Sequence, residues 1–192
     1  MKIVALGGGT GMPALLRGLK TYDHEITAIV TMFDDGGGSG VLRQELGMLP
    51  PGDIRNCILA LSDAEPLMEA VLKYRFPYGS LKNQNFGNLM LAAMNGVTGS
   101  FLDAVQSLSN ILAIQGRVLP VTTSDARLCA EFSDGAIVKG ESCIPEYAKK
   151  YHAKIRRVFL DQEDIEANPE ALLAIAEADA IVISPGSLYT SI

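Results

Sequence analysis

The sequence predicts a three-layer α/β fold with a mainly parallel sheet, a helical insertion and a small antiparallel hairpin. Short runs rich in β-branched residues, "KIVAL" (2–6), "EITAIVTMF" (25–33) and "DAIVISPGS" (179–187), are followed closely by glycine-containing turns, the pattern of buried parallel strands. A helix-like segment separates the first two runs, giving a β-loop-α-β unit within about thirty residues. The middle of the chain then carries helical periodicity before strand-like patterning returns.

After the first strand, "MPALLRGLKTY" (12–22) reads as a helix with Thr10 at its cap, Pro13 in its first turn, and Leu15, Leu16 and Leu19 on one face. "DIRNCILALSDAEPLMEAVLKY" (53–74) reads as helix with a break near Pro66, and Asp53 stands where a capping carboxylate belongs. Two further helices separated by "NGVTGS" are expected in "NFGNLMLAAMNGVTGSFLDAVQSLSNILAI". "RVLPVT" (117–122), "RLCAEFSDG" (127–135) and "AIVKGES" (136–142) are expected as short strands, the last two forming a hairpin at "SDG". "KIRRVFLD" (154–161), the helix "NPEALLAIAEA" (168–178) and the strand in 179–187 form an expected second βαβ unit. Nothing in residues 1–192 reads as a repeat or linker, so one nucleotide-binding domain is expected. The closing "SPGSLYTSI" reads as a loop that leads into a helix covering the sheet, so the chain is expected to be a C-terminally truncated fragment.

The 192 residues are 48% hydrophobic and 20% charged, which places the chain among compact globular proteins. A net charge of −6 and a pI near 4.9 weigh against a broad nucleic-acid or anionic-membrane surface and favour a small-molecule partner. Cys57, Cys129 and Cys143 lack disulfide or zinc spacing, and a reducing compartment is expected. His24 and His152 read as surface residues. "MKIVAL" is too short for a signal core, and no uncharged run reaches the ~20 apolar residues of a membrane helix, so a cytoplasmic protein is expected. A homo-oligomer is compatible with this reading.

"GGGTG" (7–11) lies between the first strand and a helix, where backbone N–H groups can cradle an anion or glycine can merely permit a tight turn. Gly7 and Gly9 match a dinucleotide-binding fingerprint, but Met12 holds the third glycine position and there is no Walker lysine. Asp34 and Asp35 follow Gly11 by about 23 residues, the spacing at which Rossmann-like folds place an acidic residue on ribose hydroxyls. The same carboxylates, with Asp53, are candidate Mg²⁺ ligands bridging to a phosphate. Gly36, Gly37 and Ser39 offer a second backbone nest, with Arg43 four residues beyond Ser39. "LPPGDIRN" (49–56) adds Asp53, as cap or ligand contact, and Arg55, whose fork suits phosphate. Asn83, Asn85 and Asn88 surround Gly87 and can read a base or sugar, or cap a helix. Ser184, Gly186, Ser187 and Thr190 stand at the carboxyl end of a strand, where open α/β sheets bind ligands.

Taken together, "GGGTG", "LLRGLK", "ITAIVTMFDDGGGSG", "LRQELGMLPPGDIRNC", "FGNLMLAAM", "GRVLP" and "SPGSLYTSI" resemble the bacterial gluconeogenesis factor family, within the wider 2-phospho-L-lactate transferase superfamily. Gly38 stands where the family pattern has serine, and "KNQN" replaces a GHS-like stretch before "FGN". The transferase branch moves a phospholactate group from a guanosine-diphosphate-type donor to a deazaflavin with Mg²⁺. The gluconeogenesis-factor branch, which this chain resembles more, is linked to cell shape, growth on gluconeogenic carbon sources and binding of UDP-N-acetylglucosamine. The resemblance implies that Gly8, Gly9, Thr10 and Gly11 face phosphate and that Asp34, Asp35 and Asp53 are acidic ligand or metal positions. It further implies that Asn85, Gly87 and Asn88 line the neighbouring pocket. In a transferase, Asp34 and Asp53 would be the catalytic pair.

Overall fold

The computed structural model of the chain describes residues 1–191. Its element order is β1 (Lys2–Gly7), α1 (Gly11–Leu19), β2 (Glu25–Val30), α2 (Gly37–Leu46), α3 (Gly52–Leu61), α4 (Pro66–Lys73), α5 (Phe86–Thr98) and α6 (Phe101–Ile111). There follow β3 (Arg117–Pro120), β4 (Leu128–Phe132), β5 (Ile137–Lys139), α7 (Cys143–Tyr151), β6 (Ile155–Leu160), α8 (Pro169–Ala176) and β7 (Ala180–Ile183).

β3, β2, β1 and β7 form a parallel sheet in that order. Successive side chains of a strand point to opposite faces, and here both faces are apolar. Ala5, Ile26, Ala28 and Val30 pack against Leu16 of α1, Ile58 and Leu61 of α3, and Leu108 of α6. Val4 and Ile29 meet Ala171 and Ala174 of α8 on the other face. Helices on both faces of a parallel sheet make the expected three layers. Asn168 fixes the entry to α8: its side chain accepts from Glu170 N–H at 3.0 Å and donates to Pro120 O at 3.1 Å.

The expected second βαβ unit does not form. β6 pairs antiparallel with β4, and with β5 these make a separate sheet of order β5-β4-β6. A strand inside a parallel sheet is apolar on both faces, whereas β6 carries Arg156 and Arg157, both paired with Glu131 of β4. β7 instead lies beside β1. The expected hairpin at "SDG" does form, as β4–β5.

Two helices escape the sequence reading. α2 begins within "GGGSG", where glycines lower helix propensity; Gly40 is needed because a Cβ there would lie 2.2 Å from Asp35 O. α7 contains Pro145 in its first turn and buries only Ile144. α5 runs through most of the expected "NGVTGS" break and stops at Gly99, which is left-handed at φ 73°. The central region is also not wholly helical, since Arg75 and Asn85 form an isolated antiparallel bridge.

Leu16 is fully buried among α1, α3 and the sheet. Leu16→Ala is expected to lower unfolding stability by about 2–5 kcal/mol. Leu172→Ala, at a side chain 55% exposed, should change it by less than ~0.5 kcal/mol. Urea titration monitored by circular dichroism, with the slope unchanged, checks both.

Candidate functional site

The parallel register pairs Gly7 with Val30 and Leu6 with Ile183, so the chain leaves β1, β2 and β7 from the same edge. Thr31 N–H donates to Gly7 O at 3.0 Å and Ser184 N–H to Leu6 O at 2.9 Å, carrying the ladder one step further. The loops 8–10, 31–36 and 184–191 therefore meet. Their approach explains Gly11: a Cβ there would lie 1.8 Å from Pro185 O. On Gly8 a Cβ would lie 2.2 Å from Thr31 Oγ1 and 3.0 Å from Asp53 Oδ2.

Between these loops is a cleft of about 180 Å³ lined by Gly9, Thr31, Asp34, Asp53, Glu141, Thr190 and Ser191. Gly9 N–H donates to Asp53 Oδ2 at 2.7 Å, tying the glycine turn to the first turn of α3. None of the lining residues is basic. Burial pushes the Asp53 carboxyl above its ordinary value; the Gly9 N–H opposes this, Asp34 adds to it and Arg55 opposes it. Burial likewise raises Glu141, opposed by the Thr190 hydroxyl and reinforced by Asp34, Asp35 and Asp53.

The structure sorts the residues singled out by sequence. Gly9, Asp34 and Asp53 line the cleft. Thr10 holds the cap position of α1 without a side-chain cap bond and is exposed, while Gly8 is buried behind the turn. Asp34 lies beyond β2 rather than ending it, and its Oδ1 accepts from Gly36 N–H at 2.9 Å, setting the entry to α2. Asp35 turns away from the cleft: its Oδ1 accepts from Ser142 N–H at 2.9 Å.

Gly36 caps α2 and Gly37 opens it, so the expected second nest is a helix start, with Ser39 buried beneath Gly52. Arg43 does not bring positive charge to the cleft, because its guanidinium pairs with Asp125 and donates to Ala126 O. Asn85 caps α5, accepting from Asn88 N–H at 3.1 Å and donating to Tyr74 O at 3.1 Å. Ser187 Oγ accepts from Tyr189 and Thr190 N–H groups and shapes its own loop.

Arg55 packs beside Gly87, where a Cβ would lie 2.6 Å from Arg55 Cδ. Its Nη2 donates to Asn56 Oδ1 at 2.5 Å, while buried Nε and Nη1 have no partner, nor does Asn88 Oδ1. Burial, then Arg75, lowers the guanidinium to about 10, with Asp53 opposing. Gly38 lies beside Gln84: a Cβ on Gly38 would lie 3.0 Å from Gln84 Oε1. Sequence reasoning missed Thr31, Glu141 and Ser191. Thr31 stood inside an apparently uninterrupted strand, and nothing local marks Glu141.

Among the described residues no three His, Cys, Asp or Glu side chains are close enough to hold a metal ion together. Of the expected metal positions, Asp34 and Asp53 line the cleft, while Asp35 accepts from Ser142 N–H. Asp34 and Asp53 fit the requirement of Mg²⁺, which retains several waters and takes one or two carboxylates.

A glycine turn opening a helix, with carboxylates and hydroxyls at the carboxyl ends of parallel strands, is the arrangement of a doubly wound α/β protein. The chain belongs to the family described as 2-phospho-L-lactate transferase CofD, whose model matches residues 3–192. A relative from Thermoanaerobacterium thermosulfurigenes is 58% identical over 191 residues, covering 100% of this chain and 59% of its own length. The gluconeogenesis factor of Bacillus subtilis (strain 168) is 53% identical over 192 residues, with 100% and 59% covered. The crystal structure of protein BH3568 from Bacillus halodurans superposes with a TM-score of 0.95 at 49% identity, covering 100% of this chain and 60% of that one. The chain thus spans about three fifths of the length of these relatives. Among the described residues no helix is long and apolar enough to cross a membrane.

Asp53 is a carboxylate whose folded-state value lies above its unfolded one, so it makes the fold less stable as pH rises from ~4 through the folded value. Asp53→Asn keeps an acceptor for Gly9 N–H and removes the charge. The variant is expected to be more stable than the parent at pH ~7, with the difference vanishing towards pH ~3. Thermal unfolding across that range checks this.

Proposed function

We propose that this chain forms the ligand-binding part of a regulatory protein of the gluconeogenesis-factor type. It binds a nucleotide diphosphate sugar of the UDP-N-acetylglucosamine kind and acts in the cytoplasm on cell shape and growth on gluconeogenic carbon sources. The observation that carries this reading is the make-up of the cleft. Thr31, Thr190 and Ser191 offer hydroxyls, Asp34 and Asp53 offer acceptors, and Gly9 brings in the turn that leads to α1. Helix starts leave amides free for phosphate, and carboxylates accept from sugar hydroxyls. The gluconeogenesis factor name of the Bacillus subtilis relative supports the biological side. The cleft lining has no histidine or cysteine, the side chains that most often serve as base or nucleophile.

The family description, 2-phospho-L-lactate transferase, favours a second reading as a transferase, which we propose would be Mg²⁺-dependent and use a nucleotide-diphosphate-linked donor. There Asp34 and Asp53 would hold the cation, which supplies compensation for charge developing on the leaving diphosphate. Asp34→Asn should then abolish turnover while leaving the unfolding curve close to that of the parent.

Isothermal titration of the full-length protein with UDP-N-acetylglucosamine, with and without Mg²⁺, is expected to show saturable binding. Absence of heat with every uridine nucleotide sugar overturns the regulatory reading. Turnover unchanged in Asp34→Asn overturns the metal role in the transferase reading.

A further inference from the structure

Glu141 reaches the cleft from outside the parallel sheet, on the short link between β5 and α7. The backbone on either side of it rests on Asp35. Ser142 N–H donates to Asp35 Oδ1 at 2.9 Å, and Gly140 lies so close that a Cβ would stand 2.5 Å from Asp35 Oδ2. Gly140 also has φ 108°, which a side-chain-bearing residue rarely adopts. Asp35, an acidic residue the sequence marks for the ligand, is thus spent on the backbone, and Glu141 joins Asp34 and Asp53 in the lining.

We propose that Glu141 selects the sugar portion of a nucleotide diphosphate sugar by accepting hydrogen bonds from its hydroxyls, and that Asp35 is the positioning residue holding Glu141 in place. The proposal rests on the reading of the cleft as a nucleotide-sugar site. A diphosphate placed against this wall would face three carboxylates and no basic side chain, and like charges disfavour one another. Neutral hydroxyl donors answer the same wall without repulsion, and hydrogen bonds to an ionised acceptor are the stronger kind.

The experiment is calorimetric titration of the full-length protein with UDP-N-acetylglucosamine and, separately, with UDP. Glu141→Ala is expected to weaken the sugar nucleotide about 10- to 100-fold while UDP affinity stays within about threefold. Glu141→Gln, which keeps one acceptor and the side-chain volume, is expected to fall between. Asp35→Ala is expected to reproduce the Glu141→Ala pattern, and Asp35→Asn, which keeps an acceptor for Ser142 N–H, to restore selectivity. Equal weakening of both ligands by Glu141→Ala, or of neither, overturns the selectivity proposal alone. Absence of binding by the parent protein overturns the nucleotide-sugar reading, and this proposal with it.

Discussion

The 2.7 Å hydrogen bond from Gly9 N–H to Asp53 is the contact on which the rest of the site depends. Glycine turns between a strand and a helix commonly offer such amides to a bound anion; here one is held by the protein's own carboxylate. The bond joins the β1–α1 turn to α3, whose Ile54, Ile58 and Leu61 are fully buried in the core. The position of the carboxylate is therefore set by core packing rather than by a flexible loop. Its burial makes ionisation costly, and with Asp34 and Glu141 it gives the cleft an acidic wall.

Close backbone approach is the second constraint. Gly11 lies against Pro185 and Gly140 against Asp35, at distances that leave no room for a Cβ. The first approach brings the 184–191 loop over the start of α1, and the second brings the small antiparallel sheet up to the turn after β2. Loops beside two sheets that share no strand thus contribute side chains to one cleft. Gly38 and Gln84 are a further close approach. A side chain at position 38 would press on the end of Gln84.

Charge is partitioned by burial. Arg43 and Arg55 both follow acidic motifs closely in sequence, yet neither lines the cleft. Arg43 is consumed by Asp125 and Ala126, anchoring the loop after β3. Arg55 is buried against Gly87 with two nitrogens unpartnered, and burial, then Arg75, lowers its guanidinium to about 10. A cleft with acidic walls and its nearest cations withdrawn suits hydroxyl-bearing or cation-paired ligands better than a bare anion.

The sequence by itself determined the elements whose signal is local. Apolar runs ended by glycine marked β1, β2 and β7, leucine spacing marked α1, and turn chemistry marked the β4–β5 hairpin. The glycine turn and two of the cleft's carboxylates, Asp34 and Asp53, were legible for the same reason, since strand-end motifs sit next to what they serve. Only the tertiary structure decided that β6 leaves the parallel sheet for β4, where its arginines lie beside Glu131. It also exchanged Asp35 for Glu141 at the cleft, through a bond between residues 107 positions apart. Likewise it turned Arg43 to a carboxylate 82 residues away. No periodicity or motif spacing encodes such pairings, because they exist only once the chain has packed.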